Sequence, residues 1–114
     1  MKSCLLLVSL FCYTVSFAGS MTCVTRENPH SGRMQNQTPA PIPYAFGREA
    51  SLSLKSIADP QIEFYAGGDD RGVEVVVKDL RTGISAQNMG DPQGVKVTLN
   101  MGVTGDYSLN CSIN

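Results

Sequence analysis

A chain of 114 residues with a formal charge of −1, one histidine and no tryptophan is one domain's worth at most. Its near-neutral balance leaves no basic excess to draw a phosphate backbone and no acidic tail, so nucleic acid is not an expected partner.

The first segment reads as a targeting sequence. Lys2 carries the only charge of a short head, and Leu5 to Phe17 follow as an apolar run broken by Ser9, Thr14 and Ser16. Ser16-Phe17-Ala18 then places small residues where a signal peptidase reads them. Residues 1–18 are therefore expected to be a cleaved signal peptide, with a cut after Ser20 as the alternative. The run is short of the roughly 20 apolar residues a membrane-spanning helix needs, and no later stretch is long enough. The remainder, 19–114, is expected to be a single exported β domain, periplasmic or secreted, and a monomer or weak oligomer.

Of four cysteines, Cys4 and Cys12 lie in the signal segment, which leaves Cys23 and Cys111. An oxidising compartment makes a Cys23–Cys111 disulfide the expected state. A redox pair would be spaced Cys-x-x-Cys, and a zinc site would need four ligands. Neither pattern is present.

Thr22 to Arg26 reads as a first strand. From about 28 to 47 the composition becomes loop-like, with Asn28-Pro29, Ser31-Gly32 and Pro39-Ala40-Pro41-Ile42-Pro43. Alternate prolines cannot donate to a ladder, which puts this segment outside a sheet or along its edge. Beyond it, apolar residues alternate with polar ones: Leu52 and Leu54; Ile62, Phe64 and Ala66; Val73, Val75 and Val77; Val95, Val97, Leu99 and Met101; Tyr107, Leu109, Cys111 and Ile113. Ile84 to Gln87 is a further short candidate. Gly67–Gly72, Arg81–Gly83, Asp91–Gly94 and Gly102–Asp106 read as turns. Period two between turn signals is the strand signature. Six to seven such strands predict an all-β fold, a small antiparallel β-sandwich or small barrel, with the disulfide linking its first and last strands. Tyr107 is four residues before Cys111, whereas an immunoglobulin tyrosine corner needs two.

Chemistry-bearing residues are sparse. His30, the one histidine, lies in the breaker-rich segment, a poor mount for a general base. Asp69-Asp70 offers two carboxylates where calcium wants six to eight oxygens, and reads as a hydrophilic turn. No catalytic constellation, cofactor motif or metal motif is apparent, and a non-enzymatic role is expected. Tyr44, Phe46 and Tyr65, with the neighbouring prolines, are the candidate partner-binding residues, because aromatics are favoured at interfaces. The favoured reading of Tyr44 and Phe46 is nevertheless as pins holding the loop to the sandwich. The expected function is a binding or envelope-associated module with a protein or glycan partner. The alternative is a secreted inhibitor of a protease or other hydrolase, presenting Pro39–Phe46 or Gly67–Gly72.

Overall fold

The computed structural model describes residues 17–114; the signal-peptide reading of the preceding residues lies outside them. Eight strands follow in chain order: β1 Phe17–Asn28, β2 Ile42–Ala45, β3 Ala50–Lys55, β4 Ile62–Asp69, β5 Gly72–Asp79, β6 Ser85–Gly90, β7 Val95–Asn100 and β8 Asp106–Ile113. A single 3-10 turn, Gly102–Thr104, lies between β7 and β8.

The strands form two four-stranded antiparallel sheets, ordered β2-β1-β8-β7 and β3-β4-β5-β6. The expected sandwich is thus present, with one or two strands more than the alternation indicates. From Phe17 the described residues run through the first sheet, cross at Phe46–Glu49 into a four-strand meander, and return after Gly90.

The alternation does what its period requires. Ile62, Phe64 and Ala66 of β4 and Val73, Val75 and Val77 of β5 point inward against Leu109, Cys111 and Tyr107 of β8. Cys23 and Cys111 are directly opposite in the β1–β8 register and form the disulfide. The bond therefore joins first and last strands as neighbours within one sheet, not across the core. Both sulfur-bearing residues are buried.

The segment after Asn28 runs along the sheet edge, one of the two placements its prolines allow: Gln35 exchanges backbone hydrogen bonds with Glu27, Gln37 O accepts from Thr25 N, and Ile42–Ala45 pairs with β1 as an edge strand. Pro41 and Pro43 are tolerated because the edge leaves one row of donors unused. Two boundaries differ from the sequence reading. The Gly67–Gly72 turn shrinks to Asp70-Arg71, since Asp69 and Gly72 already pair. The first strand also reaches back to Phe17, pairing Gly19 with Tyr44 and Ser20 with Pro43. A cut after Ala18 would keep both of those pairings, whereas a cut after Ser20 would remove them.

Antiparallel order sends β1, β3, β5 and β7 out at the same end of the sandwich. Residues 29–31, 56–61, 80–84 and 101–105 therefore gather at one pole. Gly105 makes the closest approach there. Its φ of +129° suits glycine, and a Cβ would lie 2.8 Å from Pro29 Cα.

Candidate functional site

The loop pole holds a cleft of about 770 Å³. Its walls come from the turns after β1, β3, β5 and β7, and Tyr107 of β8 forms part of its lining. Ile84 and Val103, 60% and 92% exposed, are among the apolar side chains that line it.

The turns that build the cleft are tied down from within. Glu27, 0% exposed, projects from the end of β1. Its Oε1 accepts hydrogen bonds from Ser56 Oγ at 2.6 Å, Ile57 N at 2.7 Å and Ala58 N at 3.1 Å. Its Oε2 accepts from Thr25 Oγ1 at 2.7 Å and Gln37 Nε2 at 2.9 Å. Burial pushes the Glu27 carboxyl up, but the bonds from Ser56, Gln37, Thr25 and the Ala58 amide outweigh it and hold the group below its ordinary value. Hydrogen bonds to the charged form act in that direction. A buried anion here fixes the start of the β3–β4 loop to the opposite sheet.

A second tie crosses the mouth. Arg81 pairs with Asp59 of the β3–β4 loop, and its Nε lies 3.6 Å from Asp79 Oδ1. Asp79 also caps its own turn, accepting from Arg81 N at 3.2 Å and Thr82 Oγ1 at 2.9 Å. Hydrogen bonding to Asp59 raises the Arg81 pKa still further above its ordinary value. Two carboxylates and one guanidinium thus line the cleft, a net charge of −1.

Tyr107 is 1% exposed. Among the described residues its hydroxyl has no hydrogen-bond partner, yet no fully buried side-chain polar atom lacks one. The hydroxyl oxygen is therefore the part of Tyr107 that reaches the cleft. Burial raises its pKa, and the charge of Asp59 adds to the rise, so the phenol is protonated near neutral pH and available as both donor and acceptor.

The residues singled out from the sequence are not brought together. Tyr44 is buried, its ring packed over Gly19, so it is a pin. Phe46 is fully exposed at the tip of a two-residue turn whose second residue, Gly47, has φ +78°; it pins nothing. Tyr65 lies half-buried on the outer face of the second sheet, where its hydroxyl donates to Glu63. His30, at φ 59°, is a partly exposed loop residue with Nε2 3.3 Å from Asp106 Oδ2. Asp69 is buried, and Arg71 occupies both its oxygens, with NH2 2.7 Å from Oδ2. Among the described residues no group of three or more His, Cys, Asp or Glu is placed to hold a metal ion.

Glu27, Arg81 and Tyr107 were not indicated as site residues by the sequence. The one signal for Glu27 is that period two continues through it: Met21, Cys23, Thr25 and Glu27 share a face. No family model, curated protein or solved structure matches the chain.

Proposed function

We propose that this chain is a small exported, non-enzymatic β-sandwich module that binds a partner at the loop-pole cleft. The observation that carries the reading is the combination at one pole of exposed apolar side chains with turns that are already fixed. Ile84 and Val103 are offered on loops that Glu27 and the Asp59–Arg81–Asp79 pairing hold in place. Binding to a surface ordered in advance avoids the cost of ordering it on contact. Pockets of roughly 300–1,000 Å³ with apolar walls and a few polar groups are the usual form of a ligand site. The buried disulfide supports export, because such bonds persist in oxidising compartments.

The test is site-specific photo-crosslinking in exporting cells. A photoreactive residue at position 103 or 84 should capture a partner, and one at position 96, exposed on β7, should not. Equal capture from all three positions, or none from 103 and 84, rejects the cleft as the binding surface.

A second reading, a secreted enzyme inhibitor, is favoured by one observation at the opposite pole. The Phe46-Gly47 turn and the Asp69–Arg71 turn line a common hollow of about 400 Å³, with Phe46 wholly exposed beside it. An inhibitor acting through that tip would lose its effect on the captured enzyme in Phe46→Ala.

A further inference from the structure

We infer that the loop-pole cleft takes an ammonium group carried on an aliphatic chain. The inference rests on the reading of that cleft as the binding surface and adds the chemistry of its occupant.

Three independent features point the same way. The first is Tyr107. A residue 1% exposed, whose hydroxyl has no partner among the described residues, presents an oxygen to the cleft. An unpaired polar group on a residue so nearly buried costs free energy unless an occupant or water bonds it. A phenol oxygen accepts well from an ammonium N–H.

The second is charge. Asp59 and Asp79 both line the cleft, and the one cation there among the described residues, Arg81, already pairs with both. An incoming anion would meet a guanidinium already engaged and a surplus of negative charge. The carboxylates are not saturated. Asp59 accepts from Gln61 N and Arg81, and Asp79 accepts from Arg81 N and Thr82 Oγ1, whereas an ionised carboxylate offers about four lone-pair sites. Asp79 is itself 3% exposed, so its charge acts at short range where water screens it poorly.

The third is the wall. Leu99, Met101, Val103 and Ile84 provide an aliphatic lining, and a space of about 770 Å³ is far larger than an ammonium alone. A head held near Tyr107 and the two aspartates leaves room for several methylenes along these side chains. The same chemistry is offered by a free alkylamine and by the lysine side chain of a partner protein.

The experiment is a 1H–15N NMR titration of the disulfide-intact protein at neutral pH with hexylamine, hexanol and hexanoate, which share a tail. Hexylamine should shift the amides of Ile84 and of residues 99–104 and bind at least about tenfold more tightly than the other two. Tyr107→Phe, which keeps the ring, and Asp59→Asn, which keeps the shape, should each weaken hexylamine by roughly tenfold and hexanol by distinctly less. Nα-acetyl-lysine amide, whose side-chain ammonium is free, separates the sources in a parallel titration: tighter binding than hexylamine assigns a protein chain, and weaker binding a free amine. Hexanol or hexanoate binding as well as hexylamine would overturn the ammonium assignment and leave the cleft standing as an apolar site. No shift at Ile84 or residues 99–104 with hexylamine would also overturn it, and capture from position 103 would then show independently that the cleft still binds something else.

Discussion

Glu27 of the first sheet and Ser56 at the end of the second sheet's edge strand meet inside the sandwich, the hydroxyl donating to Glu27 Oε1 at 2.6 Å. The contact joins two elements separated by 29 residues and is one of five bonds to the same carboxylate. It stabilises the fold and sets the position of the β3–β4 loop, and with it one wall of the cleft.

Replacement of Glu27 by Gln keeps the volume but presents an NH2 where five groups donate in the native fold, three of them N–H groups that cannot accept. At least one donor loses its partner and the rest lose charge assistance. The expected loss is about 2–3 kcal/mol of unfolding free energy, read as a lower urea midpoint at pH 7. A variant with an unchanged midpoint would show that the carboxylate is not an internal anchor.

The same residue sets an acid limit. Because the folded value lies below the unfolded one, near 4.3, the unfolded chain takes up the proton first on acidification. The stabilisation is complete above the unfolded value and is lost as pH falls through the folded value. The difference in urea midpoint between the native protein and Glu27→Gln should therefore hold from pH 7 to about 5 and shrink below 4. A difference that stays constant to pH 2 would contradict the lowered carboxyl.

How much of this is legible in the sequence depends on where the signal resides. The faces of β4, β5, β7 and β8 are readable because apolar residues repeat with period two along their inward rows, interrupted only where β5 ends at the buried Asp79. The disulfide follows from compartment and count. The β2 strand is hidden by Pro41 and Pro43, since an edge position excuses prolines that a central strand would reject. The β6 strand, Ser85–Gly90, is almost wholly exposed and so carries no apolar alternation. Glu27 is illegible for a different reason. A glutamate beside Asn28-Pro29 has the composition of a loop, and only the tertiary fold delivers the donors of Ser56, Ile57 and Ala58 that make its burial tolerable. The cleft depends on four turns converging, a property of strand order that no single segment encodes.

The disulfide closes a loop of 88 residues. Chain-entropy arithmetic puts the loss in Cys23→Ala/Cys111→Ala at about 4–5 kcal/mol as an upper figure, a large share of a small domain's stability. Because both cysteines are buried, dithiothreitol should reduce the bond slowly in buffer and quickly in denaturing urea, followed by thiol labelling and mass spectrometry. Equal rates in the two conditions would mean that the bond is reached without unfolding.

Tyr44 and Phe46, two residues apart, should behave as opposites. Tyr44 closes the end of the core over Gly19, and Tyr44→Ala should cost about 3 kcal/mol or more by analogy with other buried aromatics. Phe46 touches water on every side, and Phe46→Ala should stay within about 0.5 kcal/mol of the native protein. Thermal unfolding of the two variants under one buffer is enough. A large loss in Phe46→Ala would show that its ring packs in solution, and would end its role as a presented tip.

Two glycines with positive φ separate backbone strain from collision. Gly47, at +78°, has nothing within 4 Å of an added Cβ, so Gly47→Ala should cost only the left-handed backbone preference, about 1 kcal/mol. Gly105, at +129°, would drive a Cβ into Asn28 O and to 2.8 Å from Pro29 Cα. Both neighbours are backbone and cannot swing aside. Gly105→Ala should therefore cost on the order of 2 kcal/mol more than Gly47→Ala. It should also move the amide resonances of residues 101–104, because Met101 N donates to Gly105 O at 2.8 Å and that turn forms a wall of the cleft. Similar stabilities for the two variants, with those resonances in place, would mean that the turn does not lie against Asn28 and Pro29 in solution. The cleft would then be wider than its four converging turns make it.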